Sequence, residues 1–423
     1  MADKSFLSRL AGSLGPGFIT GAADDDPSGI ATYSQTGAMF GYSQLWTALF
    51  SYPFMTAMQE MCGRIGLVTG KGLSGIIRQY YAKPLLYGAV FLLAVANIIN
   101  IGADLGAMAA AVGLLVPLRF FWLLLIITVV TGALELYVPY PTYAKFLKYL
   151  TLSLLAYVAT AFIIKQNWGL VLYSTFVPHI AFTKGYIMNI AAILGTTISP
   201  YLFFWQADEE VEEEIESGKI RGMGKGVPKI KSTDIAQMRI DTVLGMFFSQ
   251  MVMFFIVVSV AATLSQGGAH TITSAADAAE ALKPVAGNFA FILFTLGILG
   301  TGLLAVPVLA GSAGYAIAEA VGWRVGLGKS VSKAPGFYGV IGVATLVGLL
   351  VNFSPVDPMT MLYYSAMLNG VLAPPLMILI LFIANNKKIL GKRTNSKLSN
   401  TLGIIITTIM SVVSLSFIYN LLW

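Results

Sequence analysis

The residues best suited to coordination chemistry form the run Gly21-Ala22-Ala23-Asp24-Asp25-Asp26-Pro27-Ser28-Gly29 near the N-terminus. Its three adjacent carboxyls interrupt an apolar stretch, where charged groups are expensive to place in lipid. Pro27 removes a helix hydrogen bond and Gly29 loosens the backbone. Freed carbonyl oxygens, hydroxyls and carboxylates are the ligands that hard divalent cations prefer. The run therefore predicts a cation site at a break in a membrane helix.

Within this run, Asp26 is the best ligand candidate because it lies next to the break. Asp24 and Asp25 are expected either to hold outer-shell water or to line the entry path, and the sequence does not rank these two roles. An alternative is that Asp26 or Ser28 only caps a half-helix.

A second interrupted helix is predicted at Gly195-Thr196-Thr197-Ile198-Ser199-Pro200-Tyr201. Pro200 again lies mid-span beside small hydroxyl residues, and Thr197 and Ser199 add hard oxygens to the candidate site. Interrupted helices at corresponding places in two halves are typical of transporters built from inverted repeats, with the site at the membrane midplane.

The composition indicates the elements that must position these residues. The chain has 423 residues, of which 57% are hydrophobic and only 11% charged, whereas soluble domains contain about 25% charged residues. This predicts a polytopic membrane protein and excludes a soluble enzyme core and a nucleic-acid-binding domain. The single cysteine, Cys62, excludes an intrachain disulfide.

Long continuous apolar runs predict an all-α protein with eleven spans. The first five form one repeat over residues 1–185, and the next five form an inverted repeat over residues 186–385, because five is odd. A basic loop and the eleventh helix occupy residues 386–423. The predicted spans are 14–37, 46–68, 84–112, 119–138, 144–164, 186–214, 235–264, 288–318, 336–352, 359–384 and 399–422.

The positive charges predict the orientation. With the N-terminus in the cytoplasm, only Arg119, Lys165, Lys184 and Lys283 of the 26 Lys and Arg residues fall outside, as the positive-inside rule requires. Seven of the 20 acids fall in the run 208–216. That run is interpreted as a solvated cytoplasmic helix end balanced by the basic loop 219–231, or alternatively as a vestibule that attracts cations.

Four stretches resemble the Nramp family of divalent-metal transporters. They are Gly15–Phe18 followed by Asp26-Pro27, Arg64–Lys71 at the end of the second span, Asp104-Leu105 in the third, and Ser199-Pro200-Tyr201 in the sixth. The resemblance implies a leucine-transporter-type fold, with two inverted five-helix repeats plus an eleventh helix. It also implies that Asp26 stands at the family's metal-binding aspartate.

The positions at which this sequence departs from the family pattern narrow the range of metal ions expected as substrate. The family's binding asparagine corresponds to Gly29, and its methionine corresponds to Ser199. Loss of the sulfur removes the soft donor that favours late transition metals, and the smaller side chains are expected to enlarge the pocket for a hydrated ion. The family's sixth-span histidines correspond to Tyr201 and Gln206, and an acid of the third span corresponds to Ala107, so proton-handling groups are fewer.

This pattern resembles the Nramp-related magnesium transporter branch. It predicts secondary transport of hydrated Mg²⁺, and also Mn²⁺, across the plasma membrane by alternating access without proton coupling. The alternative is a proton-coupled Mn²⁺/Fe²⁺ importer of the typical Nramp type. The metal is then cargo, and no cofactor, enzyme activity or nucleic-acid partner is expected. We expect a monomer in the bilayer.

Several other residues have more than one possible role. Asn369 in the tenth span is predicted either to face the ion and its water shell or to bridge packed helices. Asp104 is a residual candidate for proton traffic or a buried residue bonded to Asn97 or Asn100. Gly328-Lys329-Ser330 lacks the glycine that a phosphate-binding loop needs five positions earlier, so no ATP site is indicated. The two histidines, His179 and His270, are interpreted as ordinary loop residues.

Overall fold

The computed structural model describes residues 15–138, 152–265 and 271–422, and every regular element in these ranges is helical. We number the α-helices in chain order. They are α1 Pro16–Asp24, α2 Pro27–Phe40, α3 Trp46–Thr69, α4 Leu73–Tyr80, α5 Lys83–Gly113, α6 Phe120–Tyr137, α7 Leu155–Ile163, α8 Trp168–Phe176, α9 Lys184–Thr197, α10 Pro200–Glu216, α11 Ser232–Leu264, α12 Ala275–Glu280, α13 Lys283–Ala286, α14 Ala290–Val321, α15 Pro335–Val351, α16 Pro358–Ala384, α17 Lys387–Leu390 and α18 Lys397–Leu422.

Each predicted span has a helical counterpart, although residues 144–151 of the fifth lie outside the described residues. Short helices that the sequence reading missed include α4 and α8. Within the described ranges, seven helical stretches are each long and apolar enough to cross a membrane. They are Lys83–Gly113, Phe120–Tyr137, Lys184–Glu216, Ser232–Leu264, Gly287–Val321, Pro358–Ala384 and Lys397–Asn420.

The first and sixth spans are each divided into two half-helices. In the first span α1 has 9 residues and α2 has 14, and in the sixth span α9 has 14 and α10 has 17. A proline is the first residue of the second half-helix in both spans. This is the paired interruption that the sequence predicts for a fold of two inverted repeats.

Glycines bring each broken span against the second span of the other repeat. A Cβ atom placed on Gly21 of α1 would lie 2.3 Å from the carbonyl oxygen of Gly245 on α11. A Cβ atom on Gly66 of α3 would lie 2.1 Å from the carbonyl oxygen of Ala207 on α10. Only glycine permits backbones to approach this closely, as is common between membrane helices. The two repeats are therefore interlocked around the broken spans.

Candidate cation-transport site

The two helix breaks have the same local cause. Proline disfavours the helical conformation at the residue before it and is tolerated at the first helical position. Asp26, before Pro27, is accordingly extended at φ −67° and ψ 171°, and Ser199, before Pro200, is extended at φ −77° and ψ 136°. The carbonyl ends of α1 and α9 thus terminate at the breaks, where their partial negative charge favours cations.

Asp26 is buried at the N-terminus of α2, and its two carboxylate oxygens have different surroundings. Oδ1 accepts hydrogen bonds from the backbone N–H of Gly29 at 2.7 Å and from the Ser28 hydroxyl at 2.6 Å. Oδ2 receives only a long hydrogen bond of 3.4 Å from the Tyr201 hydroxyl. Asp26 is therefore a helix cap through one oxygen, while the other remains weakly bonded.

The two breaks touch each other although they are far apart in the chain. The Ser28 and Thr196 hydroxyl oxygens lie 3.4 Å apart. The Tyr201 hydroxyl donates to the carbonyl oxygen of Ala23 at 3.0 Å as well as to Asp26. Carbonyl, hydroxyl and carboxylate oxygens from both repeats therefore meet at one place, which a hard cation would favour.

Two of the predicted hydroxyl ligands are turned toward their own helix. Ser199 donates to the carbonyl oxygens of Gly195 at 2.8 Å and Thr196 at 2.7 Å. Thr197 donates to the carbonyl oxygen of Ile193 at 2.9 Å. These bonds satisfy carbonyls at the end of α9, and both hydroxyl oxygens keep lone pairs. The residue of this helix that contacts the first break is Thr196, which the sequence reading did not single out.

Asp24 and Asp25 are directed toward the seventh span and not toward Asp26. The Ser249 hydroxyl on α11 lies 2.5 Å from Asp24 Oδ2 and 3.5 Å from Asp25 Oδ1. Asp24 Oδ1 is buried without a hydrogen bond. In the ranges that the structure describes, no three His, Cys, Asp or Glu side chains are grouped so that they could hold one metal ion. Any ion at Asp26 must therefore take most of its ligands from hydroxyls, carbonyls and water.

Asn369 and Asp104 are buried, and their side chains have no hydrogen-bond partner in the part of the chain that the structure describes. Both amide atoms of Asn369 lack a partner, and the residue precedes Gly370, whose backbone nitrogen would lie 2.4 Å from a Cβ atom on Gly195. Both carboxylate oxygens of Asp104 also lack a partner, so the expected bond to Asn97 or Asn100 is absent. Asp104 lies within electrostatic range of Asp26. Buried polar groups without partners are uncommon and often mark a water or ion site.

The acidic run 208–216 is only partly solvated. Asp208, Glu210 and Glu214 are only 1–2% exposed, because α10 packs against α3 and α14. A cavity of about 90 Å³ lies between α10 and α11 and is lined by Glu210, Glu213, Glu214, Asp234 and Asp241, with Lys219 as counter-ion. The interpretation as a solvated end is wrong for the three buried acids, and the arrangement favours the alternative of a cation-attracting vestibule.

Asp241 connects this vestibule to the first break. Its carboxylate accepts hydrogen bonds from the backbone N–H groups of Gly15 at 3.0 Å, Gly17 at 2.7 Å and Phe18 at 3.3 Å. These are donors of the first turn of α1, which have no partner within the helix. A side chain of the second repeat therefore fixes the half-helix that ends at Asp24. Nothing in the sequence pattern indicates this role, because Asp241 and Asp234 are isolated acids in the long helix α11.

Some of the other polar groups on the vestibule side are bonded to one another, whereas the carboxylate oxygens of Asp208 and Glu214 have no hydrogen-bond partner among the described residues. Gln206 donates to Glu210 at 2.9 Å. Glu60 pairs with Arg64 at 3.0 Å and also with Arg239 at 2.8 Å.

The site is closed around Asp26, which is 1% exposed. The space expected beside Gly29 is filled in this structure. A Cβ atom there would lie 3.3 Å from the Asp24 carbonyl oxygen, the Thr196 hydroxyl and the Tyr33 ring. The expected enlargement of the pocket at Gly29 is therefore not present in the closed site.

Comparison with known proteins places the chain among metal transporters. The sequence model of Nramp, described as natural resistance-associated macrophage protein-like, matches residues 17–420. The divalent metal cation transporter MntH of Caldanaerobacter subterraneus is 23% identical, covering 98% of this chain and 94% of that protein. The MntH of Yersinia enterocolitica is 25% identical, covering 94% of this chain and 92% of that protein.

Two solved structures share the fold. The manganese transporter of Eremococcus coleocola, in complex with an aromatic bis-isothiourea substituted compound, superposes with a TM-score of 0.73 at 15% identity, covering 98% of this chain and 87% of that chain. Mhp1, a nucleobase-cation-symport-1 family transporter in a closed conformation, gives a TM-score of 0.63 at 14% identity, covering 97% and 90%. These likenesses establish the fold with broken first and sixth spans.

Proposed function

The chain belongs to the Nramp family, and from this premise we propose that it carries hydrated Mg²⁺, and also Mn²⁺, across the plasma membrane by alternating access without coupling to protons. It is a divalent-metal-cation transporter and not an enzyme, and the metal is its cargo and not a cofactor. We place its N-terminus in the cytoplasm and propose that it works as a monomer.

The observation that carries the magnesium preference is the donor set at the two breaks. Asp26, Ser28, Thr196 and Tyr201 contribute only oxygens. Ser199, at the position of the family's methionine, contributes a hydroxyl that is bonded to its own helix. Soft metals gain most from sulfur, whereas Mg²⁺ is bound through one or two carboxylates and keeps several waters. One weakly bonded carboxylate oxygen in an oxygen-lined site supports Mg²⁺ over late transition metals.

The proposal that protons are not coupled rests on the residues at the family's histidine positions. Tyr201 and Gln206 have no imidazole, and their side chains donate hydrogen bonds to the Ala23 carbonyl oxygen and to Glu210. Asp104 remains the one buried acid near Asp26 that lacks a recorded partner among the described residues. It supports the alternative of a proton-coupled importer, which the experiment below distinguishes.

The closed site constrains how the ion enters. Magnesium needs near-octahedral coordination with oxygens at roughly 2.1 Å and loses its waters reluctantly. The crowding at Gly29 leaves no room for such a shell in the closed form. We therefore propose that loading and release take place in open forms, in which the half-helices move apart at the breaks.

Flux through proteoliposomes tests the proposal. Vesicles carrying the purified protein would contain either a Mg²⁺ indicator or a pH indicator. We expect Mg²⁺ entry, competition between Mg²⁺ and Mn²⁺, and a constant luminal pH. Mn²⁺ uptake that acidifies the lumen and is unaffected by Mg²⁺ would instead establish the proton-coupled importer.

A further inference from the structure

A second, larger cavity lies on the side that the charge count assigns to the cytoplasm. It measures about 840 Å³ and is bounded by α4, by the loop 217–231 after the sixth span, and by the loop 322–334 after α14. Ligand pockets in proteins generally enclose about 300–1,000 Å³. The cavity is therefore large enough for a small organic or inorganic ligand.

Basic side chains dominate its lining. Arg221 and Lys225 enter from one loop, and Arg324 and Lys333 from the other. No hydrogen bond or ion pair is recorded for any of these four side chains in the part of the chain that the structure describes, and all four are exposed. Four unpaired cations facing one concavity repel each other unless an anion lies between them.

Three further bases line the same cavity. Lys71 is bonded to Gln79, and Lys329 is bonded to the carbonyl oxygen of Val325. Arg78 donates to the carbonyl oxygen of Glu319 at 3.1 Å. These hydrogen-bond partners carry no charge, although Glu319 lies within electrostatic range of Lys71 and Arg78, and Glu212 within range of Lys329.

Glu319 is also in the cavity lining, and its carboxylate oxygens already accept hydrogen bonds. Glu319 accepts the backbone N–H groups of Gly72 at 3.0 Å and Gly75 at 2.9 Å. It thereby caps the first turn of α4 and fixes that helix to α14. The lining thus contains seven bases and one engaged acid.

The positive-inside rule explains an excess of bases on the cytoplasmic side, but it does not require them to converge. The exposed bases Lys387 and Lys388 satisfy the same rule and lie outside this cavity. Convergence of three separate segments on one concavity is the feature that orientation alone leaves unexplained.

We propose that this cavity binds a ligand carrying two or more phosphate charges. Such a ligand accepts charge-assisted hydrogen bonds from Arg and Lys, and the planar guanidinium groups of Arg221 and Arg324 can each bind phosphate oxygens in a bidentate manner. The same chemistry is supplied by a soluble polyphosphate or by the headgroups of anionic lipids. The ligand bridges the loop that follows α10 to the loop that follows α14, and so connects the inner half of the sixth span to the eighth.

Binding of inorganic pyrophosphate to the full-length protein in a neutral detergent tests the soluble source. Titration calorimetry in the presence of EDTA keeps divalent metals out of the transport site. The variant Arg221→Gln/Arg324→Gln removes one unpaired base from each loop, and Lys387→Gln/Lys388→Gln removes two exposed bases elsewhere. The first variant removes charge-assisted hydrogen bonds from both loops, so we expect saturable binding that weakens at least about tenfold in that variant and is unchanged in the second.

A second experiment tests whether the ligand is the headgroup of an anionic lipid. The parent protein and the two double variants would be purified from mixed phosphatidylcholine and phosphatidylglycerol vesicles, and the lipid that each retains would be measured by mass spectrometry. Selective retention of phosphatidylglycerol that is lost only in the arginine variant assigns the cavity to a headgroup, even without pyrophosphate binding. Absence of both forms of binding, or equal losses in the two variants, would overturn the proposal.

Discussion

Replacing Asp26 by asparagine separates the two roles that its position allows, namely a helix cap and a cation ligand. Oδ1 bonds Ser28 and the backbone of Gly29, whereas Oδ2 faces only Tyr201 at 3.4 Å. Asparagine keeps an acceptor oxygen at the first position and places an amide at the second. Asparagine and aspartate are about equally good N-caps, so Asp26→Asn is expected to fold and to lose only the charge.

The minimum loss of Mg²⁺ affinity in Asp26→Asn can be calculated from the charge that is removed. Two unit charges 4 Å apart interact by about 1 kcal/mol in bulk water, so a divalent ion separated from Asp26 by a water layer gains about 2 kcal/mol. Since about 1.4 kcal/mol is tenfold in affinity, the variant should lose at least about 30-fold in apparent Mg²⁺ affinity. The buried site has a lower dielectric than water, which increases the loss.

The assay is Mg²⁺ uptake into proteoliposomes over a range of external Mg²⁺ concentrations, with thermal unfolding in detergent as a check on folding. Asp357→Asn is the matched control, because Asp357 also caps a helix, accepting the N–H of Met359 at 2.9 Å. We expect the control to transport like the parent protein. Parent-like uptake by Asp26→Asn would refute the ligand role and leave Asp26 as a cap.

Three further changes test other parts of the site. Ser199→Met should raise the affinity for Cd²⁺ relative to Mg²⁺ in competition assays, because it restores a soft donor, whereas Ser199→Leu, of similar size but without sulfur, should not. Gly21→Ala should lower the unfolding temperature and the flux, since its Cβ would lie 2.3 Å from a carbonyl oxygen of α11, whereas Gly88→Ala, with nothing within 4 Å, should not. Glu213→Gln/Glu214→Gln should weaken Mg²⁺ loading from the vestibule side in efflux assays, and the deficit should shrink at high ionic strength; a deficit independent of salt would contradict the electrostatic role.

The sequence predicted the framework of the site because its determinants are local. Pro27 and Pro200 each disfavour a helical residue before them and lie beside polar residues, so both breaks could be predicted from neighbouring residues. Proline alone does not break a helix, since Pro53 and Pro307 lie inside continuous helices. The apolar runs similarly fixed the helices, and the motifs around Asp26 and Ser199 indicated the family, which the match over residues 17–420 confirms.

The predictions that failed concerned packing between distant segments. The acids Asp208 and Glu210 look like solvated charges in the sequence, but the close contact between Gly66 and Ala207 brings α3 over that face of α10. Gly29 looks like open space, but Tyr33 and Thr196 fill it. Neither outcome has a local signal, because each depends on which helices become neighbours.

The sequence by itself therefore determined that the helices break, where they break and which residue types the breaks contain, since proline chemistry acts between adjacent residues. The tertiary structure decided which oxygens face one another. It brought Thr196 to Ser28, Tyr201 to Asp26 and Ser249 to Asp24. It also turned the Ser199 hydroxyl onto its own helix. These choices depend on glycine contacts and hydrogen bonds between the two repeats, which form only when residues far apart in the chain are packed together.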